Sequence, residues 1–363
     1  MTDPSRVCVV STSVAFGGAE AYLARIVAGL REEFEFAAVV PDEAATQTVE
    51  LLTSAGAAIE RVHGLRRLPS PRGIRSMTSA LRRLRPDLMH VNLTDQRDGG
   101  SPLVASRIRR IPSVATLNLV IPAKTTFKER LGSAVLRRAD AVIAVSNAVG
   151  DYVRGLGVEP RVVRQGLGAP TRNPDPRRAL GISSDQLVVG GVGRLHHQKG
   201  WDVLCAAAER VHRVRSDVRF MVIGEGPGGD TLRASPGCGH VEFMGPRADA
   251  ASLVGAFDLL AVPSRYEAFG LVALEAMLSG VPVIASRTGG LVEVVEDGGR
   301  LVPPENPGAL AEAVLELISD DAARERLALA GRERARREFG LERMIDETRV
   351  VYAELCSSGC PRT

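Results

Sequence analysis

Leu259-Leu260-Ala261-Val262-Pro263-Ser264-Arg265-Tyr266-Glu267-Ala268-Phe269-Gly270-Leu271-Val272-Ala273-Leu274-Glu275 is a strand-length apolar run, a polar turn punctuated by Pro263 and Gly270, and the opening of a helical pattern. That order reads as strand, loop and helix of a parallel sheet. With the residues after Phe269 helical, Glu267 stands at the helix mouth and Glu275 lies about two turns further along, close to the same face. The same order occurs upstream, where the run Val188 to Val192 leads into a glycine-rich loop carrying Arg194 and Lys199. Both loops leave the C-terminal end of a strand, which is where a doubly wound sheet places its ligands.

Working outward, apolar runs alternate with longer amphipathic stretches. Val7 to Ser11, Phe36 to Val40, Leu88 to Val91, Val114 to Leu117 and Ala141 to Val145 are each followed by a helical pattern. The rhythm breaks between Gln165 and Ser184, where Pro170, Pro174 and Pro176 accumulate, and this stretch is expected to be the interdomain linker. It restarts with Leu187 to Val192, Phe220 to Ile223, Leu259 to Val262 and Pro282 to Ala285, and it ends in two helices, Asp320 to Arg337 and Leu341 to Leu355. The expectation is an α/β chain of two doubly wound, Rossmann-like parallel-sheet domains facing across a cleft, residues 1–168 and 169–339. A length of 363 residues agrees, since it exceeds the size at which a single core stops growing.

Hydrophobic content of 45% with 25% charged residues is that of an ordinary globular protein. The five cysteines, Cys8, Cys205, Cys238, Cys356 and Cys360, include no Cys-x-x-Cys pair. Their odd number argues against a disulfide framework or zinc site and for a reducing cytoplasm. No apolar stretch approaches the length of a membrane span, so any membrane contact is expected to be peripheral. Residues 1–170 carry 23 Lys and Arg against 16 Asp and Glu, so the basic excess lies in the first half. Much of it falls on the helix 72–85, where Ile74, Met77, Leu81 and Leu84 form one stripe and Arg75, Arg82 and Arg83 point away. Such a helix is either an outer helix with an arginine-rich solvent face or one that touches an anionic acceptor or anionic lipid headgroups, as a peripheral contact with the inner membrane face. Aromatic content of 4% leaves little for base stacking, so nucleic acid is not an expected partner. Lysine occurs only at Lys124, Lys128 and Lys199, so a lysine kept in a glycine-rich loop singles out Lys199.

Two cations followed by two spaced carboxylates suit a ligand with a pyrophosphate and neighbouring hydroxyls. Fixed positive donors stabilise charge growing on a departing diphosphate, and carboxylates accept from hydroxyls. Phe16-Gly17-Gly18-Ala19-Glu20 follows the first strand and opens a helix, so its amides can face a phosphate or a sugar. Gly289-Gly290 is a second such turn. Gly224, Gly226 and Gly229 match a dinucleotide fingerprint, but Pro227 interrupts it and no hydride-transfer set accompanies it.

Taken together, Arg194-x4-Lys199-Gly200, Gly224-Glu225-Gly226-Pro227, Pro263-Ser264-Arg265-Tyr266-Glu267-Ala268-Phe269-Gly270, Leu274-Glu275-Ala276-Met277, Gly280-Val281-Pro282-Val283 and Gly289-Gly290 resemble the successive signatures of the GT-B glycosyltransferases of family 4. The resemblance runs from Val7 to about Leu355 and is densest in the second half. It implies a retaining, metal-independent transferase that needs no cofactor beyond its nucleotide diphospho-sugar, most commonly a UDP-sugar. The second domain would hold the donor and the first a hydroxyl acceptor, with a C-terminal helix, about 340–356, crossing back onto the first. Carried over, Arg194 and Lys199 grip the diphosphate, Glu275 the ribose hydroxyls and Glu267 the transferred sugar. Backbone amides at Phe269, Gly270, Leu271 and Val272 and at Gly17 and Gly18 complete the cradle, and Arg247 lies where the family reads the base. Front-face displacement is the expected route. Two positions depart from the pattern: Asn118 where a histidine is common, and Gln165-Gly166 where Asn-Gly is usual. Asn118 keeps a donor and an acceptor but cannot titrate near neutral pH. A sugar-nucleotide epimerase, a pseudo-transferase, or a nucleotide-sugar binding protein without catalysis are the alternatives on the same fold.

Overall fold

The computed structural model describes residues 4–65, 69–96, 98–120, 132–171 and 173–358; Lys124, Lys128 and Cys360 lie outside them. The chain forms two compact units. One runs to Gln165 and resumes at Leu341; the other spans Gly166–Gly340.

In the first unit β1 (Ser5–Ser11), β2 (Phe34–Pro41), β3 (Ala58–Val62), β4 (Leu88–Leu93), β5 (Ser113–Leu117), β6 (Ala141–Ala144) and β7 (Arg161–Val162) form a parallel sheet in the order β3-β2-β1-β4-β5-β6-β7. Helices cover its faces, which is why the central strands read as unbroken apolar runs. Val7, Val9, Phe36, Leu88 and Val114 pack with Tyr22, Leu23 and Ile26 of the helix Gly18–Leu30. Met344, Ile345 and Tyr352 of the last helix, Leu341–Ser358, join the same core.

Mid-strand in β4, His90 is wholly buried, with Nδ1 2.6 Å from the Tyr352 hydroxyl and Nε2 2.7 Å from Thr116 Oγ1. Burial holds its pKa down at about 3. An unfolded imidazole titrates near pH 6.5, so below that pH the unfolded chain takes up a proton that the folded chain refuses. The stabilisation is complete above about pH 6.5 and is lost toward pH 3 at roughly 1.4 kcal/mol per pH unit. Urea unfolding should therefore show about 2 kcal/mol less stability from this group at about pH 5 than at about pH 7.5. In His90→Gln that share of the difference disappears.

The second unit contains β8 (Leu187–Val192), β9 (Val218–Ile223), β10 (Val241–Phe243), β11 (Leu259–Val262), β12 (Val283–Ser286) and β13 (Arg300–Val302), parallel and ordered β10-β9-β8-β11-β12-β13. The strand order reverses between β1 and β4 in one sheet and between β8 and β11 in the other. Gly17-Gly18 follows β1, Arg194 and Lys199 follow β8, and Glu267 follows β11. Each motif thus leaves the carboxyl end of a strand at a switch point.

Two expectations are corrected. The proline-rich stretch expected to be the interdomain linker belongs, in its described residues after Gln165, to the second unit. Its short helix Pro176–Ala179 carries Arg177, whose guanidinium donates to the carbonyls of Ala256, Ser183 and Gln186 and to Asp258. The argument from an odd cysteine count also fails, because Cys205 and Cys238 form a disulfide 33 residues apart in sequence. Closing a loop of that length stabilises by about 3–4 kcal/mol in chain-entropy terms.

Candidate active site

The second unit builds its site from two appressed loops. After β8 the chain turns through Gly193, Arg194 and a short 3-10 turn, His197–Lys199, into the helix Trp201–His212. The indole of Trp201 donates to the Arg194 carbonyl at 2.9 Å, fixing that turn. After β11 the loop Pro263 to Gly270 leads into the helix Leu271–Ser279. Gln198 Nε2 donates to the Tyr266 carbonyl at 3.1 Å, and the Arg265 amide donates to the Gln198 carbonyl at 2.8 Å.

This stitching brings Lys199 to Glu267 across 68 residues of chain, with Nζ 2.9 and 3.0 Å from the two carboxylate oxygens. Only 19% of the lysine side chain and 12% of the glutamate side chain remain exposed, so the pair is largely shielded from water. Arg194 is exposed, and its charge acts with that of Glu267 on the phenol of Tyr266. That phenol is pushed up, mainly by burial, and the two charges pull it in opposite directions.

Arg265 was not singled out by its sequence position, yet it organises both loops. Its guanidinium donates to Asp202 at 2.8 and 2.7 Å, to the His197 carbonyl at 2.8 Å and to Glu305 at 2.8 Å. Its bonds to Asp202 and Glu305 hold the arginine further above its ordinary range, and the bond it donates to Asp202 depresses that carboxyl.

The ring of Phe269 is buried edge-on against Phe339, 5.5 Å between centroids, so only its backbone is available to a ligand. Gly270 caps the helix in a left-handed conformation, and the amides of Leu271 and Val272 open the first turn, where an α-helix has no internal acceptors for them. Glu275 lies half-buried one turn on. Arg247, after β10, is exposed and held bidentately by Asp249 at 2.8 and 2.9 Å. The glycines of Gly224-x-Gly226 serve close chain approach: Leu195 N donates to the Glu225 carbonyl at 2.8 Å, and a side chain at Gly224 would drive into the Gly193 carbonyl.

The first unit carries Gly17, Gly18 and Asn118. Gly17 caps the helix Gly18–Leu30, in whose first turn Glu20, 3% exposed, accepts from Ser11 Oγ at 3.2 Å. Burial pushes the Glu20 carboxyl up, with the bonds to it acting in the opposite sense. Asn118, just past β5, donates from Nδ2 to Asn92 Oδ1 at 2.6 Å and to the Leu93 carbonyl at 3.2 Å, while its Oδ1 accepts from Gln165 Nε2 at 3.1 Å. Asn92 in turn donates to the Ala19 carbonyl at 2.8 Å. The two departures from the family pattern are thus hydrogen-bonded to each other, and both Asn118 amide hydrogens are engaged. Asn118→Asp puts a carboxylate oxygen against two acceptors and is expected to cost about 2–3 kcal/mol in urea unfolding. Protonation of the new carboxyl restores one donor, so its folded pKa is raised. The variant is least destabilised below the unfolded carboxylate range and worst above its folded pKa.

The model for "Glycosyltransferase Family 4" matches residues 16–167 and that for "Glycosyl transferases group 1" residues 186–320. The chain is 31% identical over 334 residues to the alpha-maltose-1-phosphate synthase of Mycolicibacterium smegmatis, covering 78% of this chain and 85% of that protein. To the glycogen synthase of Mycobacterium tuberculosis it is 30% identical over 293 residues, 74% of this chain and 69% of that one. The crystal structure of HepE from Anabaena in complex with UDP-glucose superposes with a TM-score of 0.84 at 25% identity, covering 96% of this chain and 100% of that one. The chain belongs to the GT-B glycosyltransferases of family 4 and is a sugar transferase.

Proposed function

We propose that this transferase takes its sugar from a UDP-sugar and passes it to a hydroxyl of a small-molecule, glycan or lipid acceptor, with retained anomeric configuration and no metal. The observation that carries this reading is the Lys199–Glu267 pair at the mouth of the helix Leu271–Ser279, which brings one cation, one carboxylate and a set of helix amides together from two neighbouring loops. A diphosphate seats on the amide end of a helix and attracts Lys199, leaving Glu267 to accept from sugar hydroxyls. Arg194 adds a second cation, Glu275 receives the ribose hydroxyls and Arg247 lies by the base. Gly17 and Gly18 offer amides from the first unit, which takes the acceptor. HepE's complex with UDP-glucose supports uridine as the base.

In the step itself the C1–oxygen bond to the β-phosphate breaks as the acceptor oxygen bonds C1 on the same face. The acceptor proton passes to the departing phosphate oxygen. Arg194 and Lys199 act where a metal otherwise would, on the charge that gathers on the leaving diphosphate. Asn118, engaged by its neighbours, serves as a positioning residue.

The test is a thermal-shift screen of UDP, GDP, ADP and TDP with their sugars, on wild type and Lys199→Ala. A ligand at about 100 times its Kd adds about 2.7 kcal/mol, a shift of about 5 degrees or more for units of this size. A shift with uridine nucleotides, lost in the variant, is expected; none with any nucleotide overturns the donor assignment. NMR of the product then reads retention.

A further inference from the structure

Helices Pro71–Leu84 and Gly100–Arg109 pack side by side on the first sheet and feed β4 and β5, parallel neighbours with Met89 opposite Ser113. Their C-terminal ends therefore emerge together, at the amino ends of the strands, opposite to Gly17 and Asn118. That end presents Arg82, Arg83 and Arg85 from one helix and Arg107, Arg109 and Arg110 from the other, all exposed. Arg83 meets Glu60, and Arg107 lies 3.5 Å from Asp140. Arg82, Arg85, Arg109 and Arg110 make no ion pair among the described residues. Ile108, 57% exposed, stands among them.

Backbone conformation supplies an independent sign. Both helices close on an arginine in the left-handed region, Arg85 at φ 47° and Arg110 at φ 57°. A side chain there is strained, and glycine is the usual solution. This chain adopts that solution at Gly56 and Gly280, which end the helices Thr46–Ala55 and Leu271–Ser279. The negative helix ends are already met by Arg82, Arg83, Arg107 and Arg109 in the last turns, so the helix dipoles do not require Arg85 or Arg110. Strain kept at matching ends of two adjacent helices marks the guanidinium groups as what the positions are for.

We propose that this end of the first unit, with Arg82, Arg85, Ile108, Arg109 and Arg110, docks on an anionic lipid surface. Uncompensated guanidinium groups bind phosphate bidentately, and an apolar side chain among them reaches the acyl boundary. A nucleic acid would want aromatic platforms, which a chain of 4% aromatic residues does not offer here. Among the described residues no helix is long and apolar enough to cross a membrane, so the contact is peripheral. The proposal is independent of the donor assignment, because this surface lies at the other end of the strands.

The test is co-sedimentation of the whole protein, without nucleotide sugar, with vesicles of phosphatidylcholine alone or mixed with phosphatidylglycerol. Wild type is expected to bind only the anionic vesicles, less so as salt rises. Arg85→Gly with Arg110→Gly should weaken binding roughly 5-fold per arginine, about 25-fold together. The same variant should melt at a higher temperature, because glycine relieves both left-handed turns. A purely structural role would leave vesicle binding unmoved. No binding to anionic vesicles, equal binding by the variant, or tighter binding to a DNA duplex than to vesicles overturns the proposal.

Discussion

Lys199→Ala lowers the turnover of sugar transfer by about 10²- to 10³-fold, the scale of removing one preorganised donor to charge that develops in a transition state. Two losses combine. The leaving diphosphate loses a cation, and Glu267 loses the group that fixes both its oxygens at 2.9 and 3.0 Å. The second loss leaves a shielded carboxylate with a charge to hydrate, at a cost to stability of about 1–3 kcal/mol. The fold tolerates this, because the loop is held independently by Arg265 and Gln198. Cooperative melting with collapsed kcat is the expected pair of results. Lys199→Arg does not rescue, since a planar fork cannot occupy the seat of a compact ammonium whose stem packs 3.7 Å from the Cβ direction of Gly193. A variant that kept near-full kcat would remove Lys199 from the mechanism.

What could be read from the residues was what depends on local pattern. The central strands of both sheets are apolar on both faces and stand out as runs, so the doubly wound architecture was legible. β3, β7, β10 and β13 were not, because they are short and partly exposed edge strands whose residues form no apolar run. Loop residues at strand ends were legible as a chemical set, but their pairing was not. Nothing within the spacing of Arg194 and Lys199, or of Glu267 and Glu275, says that Lys199 and Glu267 touch. Arg265 stood unread inside a quoted motif because its role appears only once two loops are laid together. Gly224-x-Gly226 resembled a phosphate turn for the same reason: close backbone approach demands glycine whether the neighbour is a ligand or the chain itself. Asn118 and Gln165, 47 residues apart, read as two separate departures and are one hydrogen-bonded unit. Cys205 and Cys238 show the limit of counting, since an odd total says nothing about which two sulfurs the fold brings together.

Gly289→Ala is expected to lower transfer by about 100-fold without removing any side chain that meets the substrate. Gly289 sits at φ 48°, ψ −137°, a conformation open in practice to glycine alone. A Cβ there would overlap the Glu267 carbonyl oxygen and lie 3.2 Å from its carbon, and both are backbone atoms that no rotamer change can move aside. Relief therefore has to come from displacing the loop that Gly290 N and Thr288 Oγ1 now hold, by bonds to the Glu267 carbonyl at 2.9 Å and the Arg265 carbonyl at 3.1 Å. A shift of about 1 Å at a positioned group costs about 100-fold in rate, and here it moves Glu267 off Lys199 and disturbs the amide end of the helix Leu271–Ser279 together. The strain adds about 1–3 kcal/mol of destabilisation, within what two cores of this size tolerate. Gly255→Ala is the control, because a Cβ at Gly255 meets nothing within 4 Å. Gly255→Ala should keep both activity and melting temperature. If Gly289→Ala retained transfer within about twofold of wild type, Glu267 would not need its present position, and the weight of catalysis would shift to Arg194 and Lys199 alone.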